Sequence, residues 1–246
     1  MKLRCTLMVV SALMVALLQG CATPQLNKPV DDLFKDGEQS FQKGKYEDAI
    51  TSWKRVKESY PSPDLAARTE IGMADAYFLN KEYIEAAVEY ESFRKLHPSH
   101  ERSGYALYRQ GMSYFMQVKG IDTDQTPVKN ALGIFESYLK LYPAGAHIAE
   151  VQEKVRDCRD KQLQYEIYVA KFYLRSGSYP AAIARFDSAL KQFSDLSRCA
   201  EVLHLLGRAY LDAGQKPKAR EVYERLLKEY PATPFASEAK KAVGSL

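Results

Sequence analysis

The sequence lacks the patterns on which catalysis is usually built. It has no Gly-rich phosphate loop, no His-Glu-x-x-His pair and no nucleophile elbow, and its imidazoles are only His97, His100, His147 and His204. These absences point away from an enzyme. His97 and His100 flank Pro98, but histidines at a turn are ordinarily solvated, so no metal or other cofactor is assigned. Charge of one sign is lacking too. The formal charge is +4, and falls to +2 once Lys2 and Arg4 are set aside. Nucleic acid binding needs a basic stripe that displaces counterions, so nucleic acid is not an expected partner. The apolar run from Thr6 to Leu18 spans 13 residues, short of the roughly 20 that a membrane-crossing helix requires.

That short run has a different meaning. Lys2 and Arg4 precede it and Leu18-Gln19-Gly20-Cys21 follows it, the layout of a signal peptide over residues 1–20 ending in a lipobox. Cleavage there leaves Cys21 as the N-terminus, carrying two ester-linked acyl chains and an N-acyl chain of the palmitate type. Three chains far exceed what reversible attachment requires, at ~0.8 kcal/mol per buried CH₂, so the anchor is expected to be permanent. Ala22 stands where an aspartate would favour the inner membrane. The expected location is therefore the periplasmic face of the outer membrane. Residues 21–30, with two prolines and no apolar face, read as an extended tether. In an oxidising periplasm Cys158 and Cys199 either form a disulfide or serve as small apolar filler on helical patterns.

What is abundant is aromatic: 17 Tyr and 10 Phe. From Asp31 onward apolar residues recur at i, i+3, i+4 and i+7, with no sustained strand alternation, which predicts an all-α fold. The pattern also repeats. Five units fit the tetratricopeptide (TPR) hairpin, in which a small residue at position 8 lets two helices approach, an aromatic at 11 and alanine at 20 lock the hairpin, an aromatic at 24 fills its core and proline at 32 ends it. They are carried by Gly37, Ala49 and Trp53; by Ala74, Tyr77, Ala86 and Tyr90; by Gly111, Tyr114, Ala131 and Phe135; by Ala170, Tyr173, Ala182 and Phe186; and by Gly207, Tyr210, Ala219 and Tyr223. The equivalent alanines are 37, 45, 51 and 37 residues apart. The irregular spacing marks an excess near Lys119–Pro127, either an Ω-loop or a tolerated insertion. It also marks an extra helical stretch from Ala146 to Lys161. The expected layout is repeats one to three over 31–145, a linking helix over 146–162 and repeats four and five over 163–246.

Stacked hairpins of this kind curve into a superhelix with a concave groove, lined by positions 2, 5, 9 and 12 of each first helix. In repeats one to three these positions supply Phe34, Phe41, Phe78, Tyr105, Tyr108 and Phe115, with Arg109 beside them as a guanidinium suited to a carboxylate. They predict a groove for an extended, aromatic-ended peptide, although the same aromatics also suit the core between repeats. In repeats four and five the groove positions bring Lys171 and Arg208 among others, so the second half is expected to use polar and charged contacts.

The lipobox, the five units and the endings Ser-Tyr-Pro, Leu-Tyr-Pro and Glu-Tyr-Pro together resemble the BamD family, the TPR lipoproteins of the β-barrel assembly (Bam) machinery. The likeness runs from Cys21 to about Ala242. It departs at Ser194, which replaces a repeat-ending proline, and in a shorter loop in repeat three. The resemblance implies anchoring in the outer membrane, binding to the periplasmic POTRA region of BamA and to other Bam lipoproteins, and recognition of the aromatic-ended signal of unfolded outer-membrane proteins. It also places the BamA contact mainly in the C-terminal repeats, where Arg185 matches a family arginine. Two rival expectations keep the scaffold class: an adaptor resembling the TPR domain of the Tol-system periplasmic factor, and a regulator of peptidoglycan enzymes.

Overall fold

The computed structural model describes residues 28–246. Cys21, the expected signal peptide and most of the tether lie outside them. Eleven helices and no strand are found among the described residues: α1 (Val30–Gln42), α2 (Tyr46–Glu58), α3 (Pro63–Leu79), α4 (Tyr83–Leu96), α5 (Ser103–Met116), α6 (Thr126–Leu141), α7 (Ile148–Arg175), α8 (Tyr179–Gln192), α9 (Cys199–Asp212), α10 (Lys216–Glu229) and α11 (Pro234–Ser245). None of them is long and apolar enough to cross a membrane. Proline punctuates the array from both sides. It stands in the first turn of α3, α6, α8, α10 and α11, where its missing N–H has no helical acceptor to lose. Pro61, Pro143 and Pro231 each follow closely on a helix end and bias the residue before them out of the α region.

Each helix packs chiefly on its neighbours in the chain, as expected of a quasi-one-dimensional stack. The hairpins close where a small residue meets a ring. A Cβ on Gly111 would lie 2.5 Å from the Phe135 ring, and one on Gly207 would lie 2.5 Å from that of Tyr223. Positions 8 and 24 thus meet in these two hairpins at a distance that leaves no room for a Cβ, so only glycine fits without a shift of the ring. Another recurring position is the left-handed residue of the hairpin turn. Gly44, Gly177 and Gly214 hold it at φ near +73°, whereas the second hairpin puts Lys81 there at φ 65°. A left-handed L-residue costs roughly 1–2 kcal/mol, and glycine returns about 0.4–1 kcal/mol through its freer unfolded chain. Lys81→Gly is therefore expected to raise stability by about 0.5–1 kcal/mol, read as a higher denaturation midpoint with an unchanged slope.

The buried residues form three cores. The first gathers Trp53, Tyr90 and Phe93 between α1 and α5. The second gathers Phe135, Tyr138, Val151 and Cys158. The third gathers Leu163, Phe186, Leu203, Tyr223 and Leu226. Helix α7 joins the second and third. The expected linking segment and the first helix of repeat four are one continuous helix of 28 residues, with Val151 and Cys158 in one core and Leu163, Ile167 and Ala170 in the next. Cys158 and Cys199 are both buried free thiols in different cores, so they are not a disulfide. Cys199 instead donates to the Phe193 carbonyl at 3.0 Å. The repeat-three insertion forms the link before α6, where Asp124 accepts from the Thr126 amide at 2.9 Å and hydroxyl at 2.7 Å. Helix α11 follows repeat five and packs on α10 and α9.

Candidate peptide-binding groove

Helices α1 and α3 run side by side with their groove positions facing a common cavity of about 570 Å³. Phe34, Glu38 and Phe41 line it from α1, and Arg68, Ile71 and Asp75 from α3. These are the positions 5, 9 and 12 of repeat one and 2, 5 and 9 of repeat two in the sequence register. Trp53 contributes from α2, and His100 and Arg102 from the turn before α5. Phe41 packs against the Tyr46 and Trp53 rings at 5.6 and 5.7 Å between centroids. Phe34 is nearly buried and shows the cavity only its edge of exposure, 6%.

Three arginines lie on three rings in this part of the molecule. Arg68 stands 4.5 Å over Phe34 and pairs with Glu38 at 3.3 Å. Arg102 stands 4.6 Å over Tyr105 and pairs with Asp75 at 3.1 Å. Arg109 lies closest, 3.6 Å over Phe78, and its Nε donates to the Tyr90 hydroxyl at 3.2 Å. Such stacks contribute about 0.5–2 kcal/mol each, more as water is excluded. Arg109 makes no ion pair with a carboxylate, so its remaining donors stay uncommitted to any charged partner.

Asp75 ties this network together. Its Oδ1 accepts from the Tyr90 hydroxyl at 2.6 Å and the Tyr105 hydroxyl at 2.8 Å, and its Oδ2 from Arg102. Burial first, then the Asp75 charge, push the Tyr105 phenol up to about 12 and the Tyr90 phenol well above the usual value of 10. Both remain donors at neutral pH. Because the folded state holds these protons more tightly than the unfolded chain, their contribution to stability is intact below pH ~10 and disappears as pH rises through the folded values. An alkaline titration followed by tyrosinate absorbance is expected to show a late group of tyrosines whose ionisation coincides with loss of helix. Ionisation of all 17 as one group at their ordinary value would contradict this.

The expected groove residues do not all meet. Phe34, Phe41, Phe78, Tyr105 and Arg109 belong to the cavity or to the network beside it. Tyr108 does not. It is buried with its ring stacked 4.0 Å from His147, and it donates to Glu150 at 2.7 Å on α7. That packing and hydrogen bond raise its pKa and withdraw it from any ligand. Phe115 is half-buried further along α5, facing Phe135 at 6.5 Å and lying under Lys154 at 5.0 Å. The pair His97 and His100 is also accounted for within the protein: His97 Nε2 meets Glu70 at 2.9 Å, and both rings pack on Phe93.

In the C-terminal half Lys171 pairs with Glu201 at 2.7 Å, Arg185 with Glu166 at 2.9 Å and Arg208 with Asp212 at 3.7 Å. All three are at least two-fifths exposed on their side chains. The groove position His204 is covered by α11, whose Phe235 stacks on it at 5.4 Å and whose Glu238 approaches Nε2 at 3.3 Å. Sequence reasoning missed Arg102, and it counted Arg68 and Asp75 among the groove positions without singling them out as site residues. The register alone already placed Arg68 and Asp75 on the groove face.

Residues 26–226 match the sequence profile of the YfiO family, described as outer membrane lipoprotein. The chain is 25% identical over 241 residues to outer membrane protein assembly factor BamD of Rickettsia prowazekii, covering 96% of each chain. It is also 25% identical over 219 residues to the BamD of Caulobacter vibrioides, covering 86% of this chain and 72% of the relative. Among solved structures, the TPR2AB domain of yeast Sti1 superposes with a TM-score of 0.47 at 12% identity, covering 88% of this chain and 84% of that one. A profile match across most of the TPR array establishes that the chain belongs to the YfiO family of outer membrane lipoproteins.

Proposed function

We propose that this chain is an outer membrane protein assembly factor, a lipid-anchored scaffold of the Bam complex that holds proteins rather than transforms them. The observation that carries the reading is the family match over residues 26–226, together with relatives that are themselves called outer membrane protein assembly factor BamD. Cys21 carries the lipid and fixes the chain to the periplasmic face of the outer membrane. The cavity between α1 and α3, continued by Phe78, Tyr105 and Arg109, receives the aromatic-ended segment of an unfolded barrel protein. An incoming ring replaces a stacked arginine, and Arg109 meets the terminal carboxylate.

Lys171, Arg185 and Arg208 face the POTRA region of BamA, and other Bam lipoproteins complete the assembly. Each of the three cations already holds an acidic neighbour. Docking therefore exchanges ion pairs, favouring specificity and rate of association over raw affinity.

The test is a crosslinked pull-down from solubilised envelopes with the intact chain and a version ending after α6. Co-purification of a large barrel-forming subunit with the intact chain, lost on truncation, supports the reading. Recovery only of Tol proteins or peptidoglycan enzymes overturns it. A second arm measures a phenylalanine-ended peptide: Phe78→Ala is expected to weaken its binding about ten-fold, and unaltered binding by a still-folded variant would remove the groove assignment.

A further inference from the structure

Six arginines among the described residues are half-buried: Arg94, Arg102, Arg109, Arg159, Arg185 and Arg198. Four of them hold a carboxylate, on Asp75, Asp195, Glu166 and Asp160 respectively. Arg109 holds none, but lies on the Phe78 ring and donates to Tyr90. Arg94 has neither kind of partner. Its Nη1 donates to Gln110 Oε1 at 3.3 Å, and its Nε is buried with no acceptor. A guanidinium stripped of part of its hydration and left without a counter-charge is costly to keep, and the repeat pattern does not require it at this position.

Arg94 also lines a cavity of about 570 Å³ where α4, α5 and α6 converge. Gln110 and Tyr114 line it from α5, and Lys129, Asn130 and Gly133 from α6. Lys129 forms no ion pair among the described residues, whereas Glu91 at the rim is already tied to Lys95 on its own helix. Two uncommitted cations, two amides and a phenol therefore surround one space. Gly133 keeps it open, since a Cβ there would meet nothing within 4 Å.

We propose that this cavity is a second binding site, distinct from the groove, for an acidic segment of a partner protein whose carboxylate pairs with Arg94 and Lys129. A guanidinium offers paired N–H donors at the spacing of a carboxylate. The volume lies in the range of pockets that enclose a ligand of several functional groups, well beyond a lone oxyanion. The exposed amide of Asn130 supplies a donor and an acceptor for a peptide backbone, the buried Gln110 holds Arg94 in place, and Tyr114 with Ile134 gives an apolar wall. The site stands whether or not the assembly-factor reading holds.

The experiment is fluorescence anisotropy of a labelled peptide of alternating aspartate and glycine against the full chain in detergent. Arg94→Gln, Lys129→Gln and Gly133→Leu are compared with wild type. Leucine at 133 fills the cavity on an open, helix-favouring position, so it blocks the site without strain. The expected result is binding by wild type, at least ten-fold weaker binding by all three variants with thermal midpoints at or above that of wild type, and no effect of Arg175→Gln, an exposed charge change elsewhere. Absence of wild-type binding overturns the proposal. So does full binding by both Lys129→Gln and Gly133→Leu, an equal loss in Arg175→Gln, or displacement of the peptide by inorganic phosphate at concentrations where acetate has no effect.

Discussion

Asp75→Ala is expected to lower stability by about 3 kcal/mol and to open the N-terminal groove. The carboxylate accepts from two phenols, and the Tyr90 side chain is fully buried. Removing the acceptor leaves that hydroxyl with Arg109 as its only neighbour in the network. Hydrogen bonds to a charged group contribute about 1.5–3 kcal/mol each, and an orphaned buried donor costs about 1–3 kcal/mol. The Arg102 pair adds little, because that side chain is 40% exposed and exposed pairs contribute ~0–1 kcal/mol. For a chain of this size 3 kcal/mol corresponds to a fall of roughly 6–12 °C in the thermal midpoint, measurable by helix ellipticity. Asp75→Asn keeps an acceptor oxygen and should fall by less than half as much. An alanine variant that melts with wild type would show that the phenols satisfy themselves elsewhere.

Trp53→Ala is expected to cost more, about 3–5 kcal/mol, as is usual for a large buried aromatic. The indole is 3% exposed and fills space that two glycines leave. A Cβ on Gly37 would lie 2.3 Å from its Nε1, and one on Gly72 would lie 3.0 Å from its ring. Glycines have no side chain to relax into the void, so the cavity persists. The Nε1–H also donates to the Phe34 carbonyl at 3.3 Å. Because each hairpin depends mainly on its neighbours, the loss should be local. Hydrogen exchange is expected to show α1 and α2 opening while α9 and α10 keep their protection. Uniform loss across all helices would mean that the array unfolds as one unit. As the sole tryptophan, Trp53 is also a built-in fluorescence reporter for ligands in the cavity it lines.

Much of this arrangement was legible in the sequence because TPR packing is local. Gly207 and Tyr223 fall at the regular offset of the repeat, so spacing alone paired them, whereas the insertion near Lys119–Pro127 sets Gly111 and Phe135 out of phase and each was recognised only within its own helix. The register likewise placed Phe34, Phe41, Arg68 and Asp75 on one face. Contacts made across distant stretches were not legible. Tyr108 occupies a groove position by number, yet is covered by His147 and Glu150 from some forty residues further on. His204 is hidden by α11, which carries no repeat signature. Arg109 was placed beside the groove, but its seat on Phe78 and its bond to Tyr90 join side chains of three different helices.

Helix α7 carries a geometric consequence for how the two halves are phased. Its 28 residues span about 42 Å at 1.5 Å per residue, and the change of core falls between Cys158 and Leu163. One residue inserted there would turn everything beyond it by about 100° around the helix axis, whereas seven would restore the facing to within roughly 20°. The angle between the groove half and the charged half is thus written in residue count along one rod, and length variation in that short window acts as a dial on the orientation of whatever each half holds.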